Sequence, residues 1–195
     1  RQTDIKRVVA YSSVAHVNLT LVGLFSFNLI SVEGSIFQML SHGFVSAAFF
    51  FIVGSLYSRF HSRLVLYFSG LSQTIPFFIF IFMFFTIANI ALLVIFIFIG
   101  EFLILVGLFQ INPFVCFFCA TSLVSGGCYA LWLFNRIAFG SFKLQYFSFC
   151  RDLIRFEVFT FLPLIFFTLG LGLFPNVFFS LFHCSCSSLI KFIFL

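Results

Sequence analysis

Polar positions cut this chain into apolar runs. They extend from Val8 to about Leu29, Ser35 to Tyr57, Ile75 to Phe109, Phe114 to Phe139 and Glu157 to Phe182. A bilayer-crossing helix needs about 20 predominantly apolar residues. Barrel strands would alternate over ~10 residues, and that alternation is missing. The expected fold is an all-α integral membrane bundle of about five transmembrane helices. It forms a single membrane domain over residues 1–195, with a terminal tail over 183–195.

The run from Ile75 to Phe109 differs from the rest. Its roughly 35 residues would make about 52 Å of helix against a hydrocarbon core of ~30 Å. Either it crosses twice, with a turn near Asn89–Val94, or it crosses once and is interrupted. The basic residues decide. With a single crossing, Arg1, Lys6, Arg7, Arg59, Arg63, Arg136, Lys143, Arg151 and Arg155 fall on one face, nine of the ten, and only Lys191 lies opposite. Two crossings would scatter them. Cytoplasmic or matrix-side loops collect Lys and Arg, so the single interrupted crossing is the expectation.

Composition narrows the class further. The chain is 63% hydrophobic and 8% charged, against about a quarter charged in soluble domains. Its net charge of +5 belongs to short loops, which excludes a nucleic-acid-binding reading. Phe accounts for 38 of 195 residues, a bias that a thymine-rich organelle genome would produce. Arg1–Arg7 carries no apolar signal core, and the chain is expected to begin inside a longer one. Cys116 and Cys119 sit in an apolar helix as small packing residues. His183, Cys184 and Cys186 read as a polar terminal segment, so no metal site is expected.

The polar residues inside the apolar runs carry the chemistry. Glu101 lies deep in the interrupted crossing. A charge at mid-bilayer costs about 2.5–3.5 kcal/mol on insertion scales, so such groups face a bundle interior or a water-filled cavity. In the first helix Ser12 or Ser13, His16 and Thr20 share a face, with His16 about 12 Å inside. In the second, Gln38, His42 and Ser46 form a stripe, with His42 about 10 Å from the opposite surface. Imidazole titrates near neutrality and relays protons. The expected proton path is Glu101, His42 and His16, supported by Ser12, Ser13, Thr20, Gln38 and Ser46. Ser125–Gly127 and Gly170–Gly172 are expected to let helices approach, and Tyr129 and Trp132 to form an interfacial belt.

Several of these segments resemble one family, chain 4 of NADH:ubiquinone oxidoreductase, the antiporter-like membrane subunit of respiratory complex I. Thr3–His16 resembles its T-D-(I/L/M)-K-x-(I/V)-(I/V)-A-Y-S-S-(I/V)-(S/A)-H segment, and Gln38–Gly43 its Q-M-x-x-H-G. Tyr57–Arg63 resembles Y-x-R-x-H-(S/T)-R, and Ile99–Leu105 resembles (I/V)-G-E-F-(L/M)-I-L. Tyr129–Arg136, Glu157–Phe159 and Gly172–Pro175 are similar to later segments.

The resemblance implies a subunit of about fourteen helices in two inverted repeats, of which this chain would supply the C-terminal five. It implies a broken helix at Glu101, and a half-channel in which Glu101, His42 and His16 move protons. It implies an enzyme subunit without redox chemistry or cofactor of its own, since FMN, iron–sulfur clusters and quinone would sit in other subunits. The partners would be other membrane-arm subunits, a separate N-terminal half, and a bilayer in which cardiolipin is a candidate lipid. The location would be the mitochondrial inner membrane, or alternatively a bacterial plasma membrane. The alternative functions are a structural segment with an impaired proton path and a chain of a cation/proton antiporter. One departure matters: Leu92–Ile99 lacks the Pro, Gly, Ser/Thr and Asn with which the family breaks this helix. The bundle must impose the break, or the helix is continuous and tilted.

Overall fold

The computed structural model describes residues 2–91, 96–141 and 151–194. Arg1, Lys143, Cys150 and the part of the expected break over 92–95 lie outside the described residues. The helices are α1 (Ile5–Phe25), α2 (Leu29–Phe60), α3 (Pro76–Asn89), α4 (Phe96–Ile111), α5 (Pro113–Ala138), α6 (Arg155–Leu173) and α7 (Asn176–Phe194).

The first connection is tighter than its sequence suggests. Expected between about Leu29 and Ser35, it lies instead at Ser26–Asn28, and α2 runs from Leu29 to Phe60 rather than from Ser35 to Tyr57. Asn28 stops the upstream chain by capping α2, its Oδ1 accepting the Ile30 N–H at 3.4 Å. Phe27 takes the left-handed conformation that the tight turn demands (φ 51°). Ser31 and Gly34 are small because they face α4 at close range. A Cβ on Gly34 would stand 2.7 Å from Leu103 Cβ, one on Gly100 2.9 Å from Gln38 Cα, and one on Gly107 2.9 Å from Ser31 Cβ. Dispersion and backbone contact hold such seams where water supplies no driving force. Of the glycines expected to pack closely, Gly127 does so, since a Cβ there would stand 3.2 Å from Ile90 Cγ2, whereas Gly170 faces open space.

The long run is one interrupted crossing. α3 ends at Asn89, Ala91 adopts a left-handed conformation (φ 58°), and α4 begins at Phe96. At 14 and 16 residues, each piece is too short to cross alone. Contacts at the two ends give the direction. The α3 N-terminus meets Asp152, which accepts from the Phe77 and Phe78 N–H groups at 2.9 and 3.0 Å. The far end of α4 meets the α1–α2 turn, where Asn28 Nδ2 donates to Gln110 Oε1 at 2.7 Å. The run therefore starts on the basic face and ends on the other, as the charge pattern requires.

The last crossing is also interrupted. The helix expected over Glu157–Phe182 ends at Leu173 and resumes at Asn176. Two glycines of low helix propensity, Gly170 and Gly172, precede Pro175, which has no N–H to continue the ladder. Residues 183–194, expected as a tail, belong to α7. That helix keeps the direction of α6 along α2: Phe179 stacks on Phe37 at 4.9 Å, and His183 Nδ1 reaches Glu33 Oε1 at 2.6 Å nearer the α2 start. The crossings are thus α1, α2, α3–α4, α5 and α6–α7.

A polar staple closes the basic face. Arg59 Nη1 donates to Glu157 Oε1 at 2.9 Å and to the Ser55 carbonyl at 2.9 Å. Its Nη2 also pairs with Glu157 Oε2, and its Nε donates to the Arg151 carbonyl at 3.2 Å. Glu157 Oε2 accepts the Ile154 N–H at the head of α6. The segment before α6 is thereby tied to the end of α2, and through Asp152 to the start of α3.

Candidate functional site

Glu101 follows Gly100, the residue at which α4 touches the α2 backbone. That approach delivers the carboxyl into the bundle, where it is 5% exposed. Glu101 Oε1 lies 3.0 Å from His16 Nδ1 and accepts from Gln38 Nε2 at 3.1 Å. Three helices, α1, α2 and α4, therefore converge on one carboxylate oxygen. Glu101 lies five residues after Phe96, where the described part of α4 begins.

The two histidines meet. His42 lies about 20 Å along α2, because that helix starts six residues earlier than expected, and His16 lies about 17 Å along α1. Their ring centroids are 5.0 Å apart. His42 Nε2 lies 3.2 Å from Ser13 Oγ. The result is a buried series, Gln38–Glu101–His16–His42–Ser13, in which every step is a hydrogen bond except the ring contact between the imidazoles. Gln38 Oε1 and His42 Nδ1 are buried without a hydrogen-bond partner, so the series retains unused donor and acceptor capacity.

The remaining expected residues divide. Ser12 is buried and donates to the Val9 carbonyl at 2.7 Å. Thr20 is buried but spends its hydroxyl on the Val17 carbonyl. Ser46 bonds the Gly43 carbonyl at 3.2 Å and stays outside the cluster.

Other residues join the site without having been singled out. A small chamber of about 30 Å³ is lined by Glu101, His16, Asn89, Ser122 and Tyr129 among others. A water needs roughly 10–15 Å³ of such volume, so the chamber has room for about two. Asn89 is the last residue of α3 and 7% exposed. It was legible as the only strongly polar side chain in the long run before Glu101. Tyr129, expected in the interfacial belt, instead lines the chamber with its hydroxyl towards Ser12, while Trp132 remains half exposed. Nothing along α5 marks Tyr129 as inward, because only the α1–α5 contact turns it there. Among the described residues no three metal-ligating side chains converge, and His183 pairs with Glu33.

Comparison with known proteins points one way. A family model described as "NADH:quinone oxidoreductase/Mrp antiporter, TM" matches residues 1–128. The chain is 49% identical over 191 residues to NADH-ubiquinone oxidoreductase chain 4 of Marchantia polymorpha, covering 98% of this chain and 39% of that one. It is 41% identical over 190 residues to NADH-quinone oxidoreductase subunit M of Rhodobacter capsulatus, covering 97% of this chain and 37% of that one. Its structure is similar to a chain of respiratory complex I from Thermus thermophilus with bound NADH, with a TM-score of 0.89 at 25% identity, over 97% of this chain and 40% of that chain. The chain spans about two fifths of the length of the curated relatives it matches.

Proposed function

The chain belongs to the NADH:quinone oxidoreductase/Mrp antiporter family of multi-pass membrane proteins, and from that premise we propose that it is a proton-translocating part of the complex I membrane arm. Electron transfer from NADH to quinone takes place in other subunits, which hold the FMN and iron–sulfur clusters. This chain contributes no redox step. It works beside other membrane-arm subunits, in the mitochondrial inner membrane.

The observation that carries the reading is the buried series from Glu101 through His16 and His42 to Ser13. An isolated charge in hydrocarbon costs several kcal/mol. Glu101 avoids that cost in two ways: it keeps its proton and donates to His16 Nδ1, or it is ionised and accepts from a protonated His16. The two states differ by one proton moved along a 3.0 Å contact. From His16 the proton continues to His42 through ring rotation or a water, then to Ser13. Gln38 holds the carboxylate oxygen in place and carries no proton. Charge movement elsewhere in the assembly biases the two states and so drives transfer in one direction.

Replacing Glu101 with Gln keeps shape and hydrogen-bonding capacity and removes the titratable proton. Proton pumping by inner-membrane vesicles oxidising NADH is expected to fall severalfold, with assembly and NADH:ferricyanide activity unchanged. Unaltered pumping would overturn the reading. It would favour a structural role, which the small volume of the chamber also suits. Sodium-dependent proton flux without NADH would instead indicate a cation/proton antiporter, a reading favoured by the breadth of the matching family.

A further inference from the structure

Tyr129 stands between two spaces. On one side is the chamber that holds Glu101 and His16. On the other is an open groove of about 590 Å³ lined by Gln2, Val8, Tyr11, Tyr129 and Trp132. Gln2 precedes α1, Val8 lies near its start, and Trp132 belongs to the last third of α5. The groove therefore opens at the end of the bundle that carries Lys6, Arg7 and Arg136. Among the described residues the two spaces share Tyr129 and no other lining residue.

The hydroxyl of Tyr129 is placed to act. It faces the Ser12 hydroxyl, which itself donates to the Val9 carbonyl. Ser12 lies one turn before His16 on the same face of α1. A second groove, about 410 Å³ between α4 and α5, also reaches Glu101, but its walls are Phe98, Phe102, Leu105, Leu123 and Leu131 among others. An apolar wall strands a proton, because no group along it can carry one. The polar way out of the chamber on this side is past Tyr129.

We infer that Tyr129 is the gate of the proton path on the basic face, passing protons between water in the α1–α5 groove and the Glu101–His16 pair. In the inward step a hydrated proton in the groove is transferred to the phenol oxygen, while the phenol O–H bond breaks and its proton passes to a chamber water. That water hands a proton to Glu101 or His16. The tyrosine ends neutral, as it began, and no electron moves. Between steps the ring fills the passage and its hydroxyl rests on Ser12, so the chamber stays closed.

This inference rests on the proton path proposed above, and the test separates the two. NADH-driven proton pumping and passive proton leak are measured in inner-membrane vesicles carrying Glu101→Gln, Tyr129→Phe or Tyr129→Ala. Tyr129→Phe keeps the ring and loses the relay; it is expected to slow pumping severalfold, with a changed solvent deuterium isotope effect and no added leak. Tyr129→Ala opens the passage and is expected to raise passive leak severalfold. Loss of pumping in Glu101→Gln with normal pumping in Tyr129→Phe and no leak in Tyr129→Ala would overturn the gate alone. Normal pumping in Glu101→Gln would overturn both. Assembly, read by native electrophoresis and NADH:ferricyanide activity, is expected to be unchanged in Tyr129→Phe, and a Tyr129→Phe that fails to assemble would make Tyr129 structural and overturn the gate.

Discussion

Two crossings of this bundle are interrupted, α3–α4 and α6–α7, and their causes differ. The break in α6–α7 is written locally: Gly170, Gly172 and Pro175 lie within a few residues of one another, and the helix ends before the proline. Pro163 shows that a proline by itself is insufficient, because α6 carries it in its interior. The break in α3–α4 has no proline or glycine at all. It places an alanine in the left-handed region, at a cost of about 1–2 kcal/mol, which the surroundings must offset. Asp152 anchors the start of α3, the glycine seam anchors α4 on α2, and Gly127 on α5 leaves room for Ile90 at the break. The interruption that adjoins the buried carboxyl is the one imposed from outside.

The largest expected effect tests the seam that holds the imposed break. In Gly100→Ala the new Cβ would stand 2.9 Å from the Gln38 backbone. Overpacking of this kind costs about 1–3 kcal/mol. The variant is expected to melt at lower temperature in detergent and to lose coupled NADH oxidation, because Gln38 and Glu101 are pushed apart. An unaltered melt with unaltered coupling would mean that the seam yields and the break needs no anchor there.

A smaller effect tests the other anchor. Asp152→Ala strips the α3 N-terminus of the two carboxylate oxygens that accept its Phe77 and Phe78 N–H groups, a loss of about 1 kcal/mol. Asn in its place is expected to restore most of the stability, since it retains one acceptor oxygen. If Ala and Asn melt alike, Asp152 acts through its charge and not as a cap.

The smallest effects set the two breaks directly against each other. Ala91→Gly relieves the left-handed residue and is expected to raise stability by up to ~1 kcal/mol, with pumping retained. Pro175→Ala is expected to increase helicity by circular dichroism, as α6 and α7 join, and to leave pumping unchanged. A pumping defect in Pro175→Ala would show that the second interruption is functional too.

Much of this was legible in the chain. Glu101, His16 and His42 stand out because ionisable groups in apolar runs are costly, and a cost of that size demands a partner. The position of Asn28, by contrast, is a weak local cue, so the α1–α2 connection is displaced and His42 lies deeper than its spacing suggests. Gly100 and Gly107 give no sign of being the close-packing glycines, while the conspicuous pair Gly170 and Gly172 turns out to loosen a helix end. Helical periodicity reports which residues share a face, and it says nothing about which neighbouring helix that face meets.

The sequence by itself determined the number of crossings, their direction and the acid that must be buried, because hydrophobic length and loop charge act through the bilayer, a uniform medium that needs no knowledge of the fold. Only the tertiary structure decided that α3 ends at Asn89 with Ala91 in the left-handed region, that His16 and His42 touch, and that Tyr129 turns inward. Each of those outcomes is a balance between a local preference worth about 1 kcal/mol and contacts from helices distant in the chain, and the contacts win.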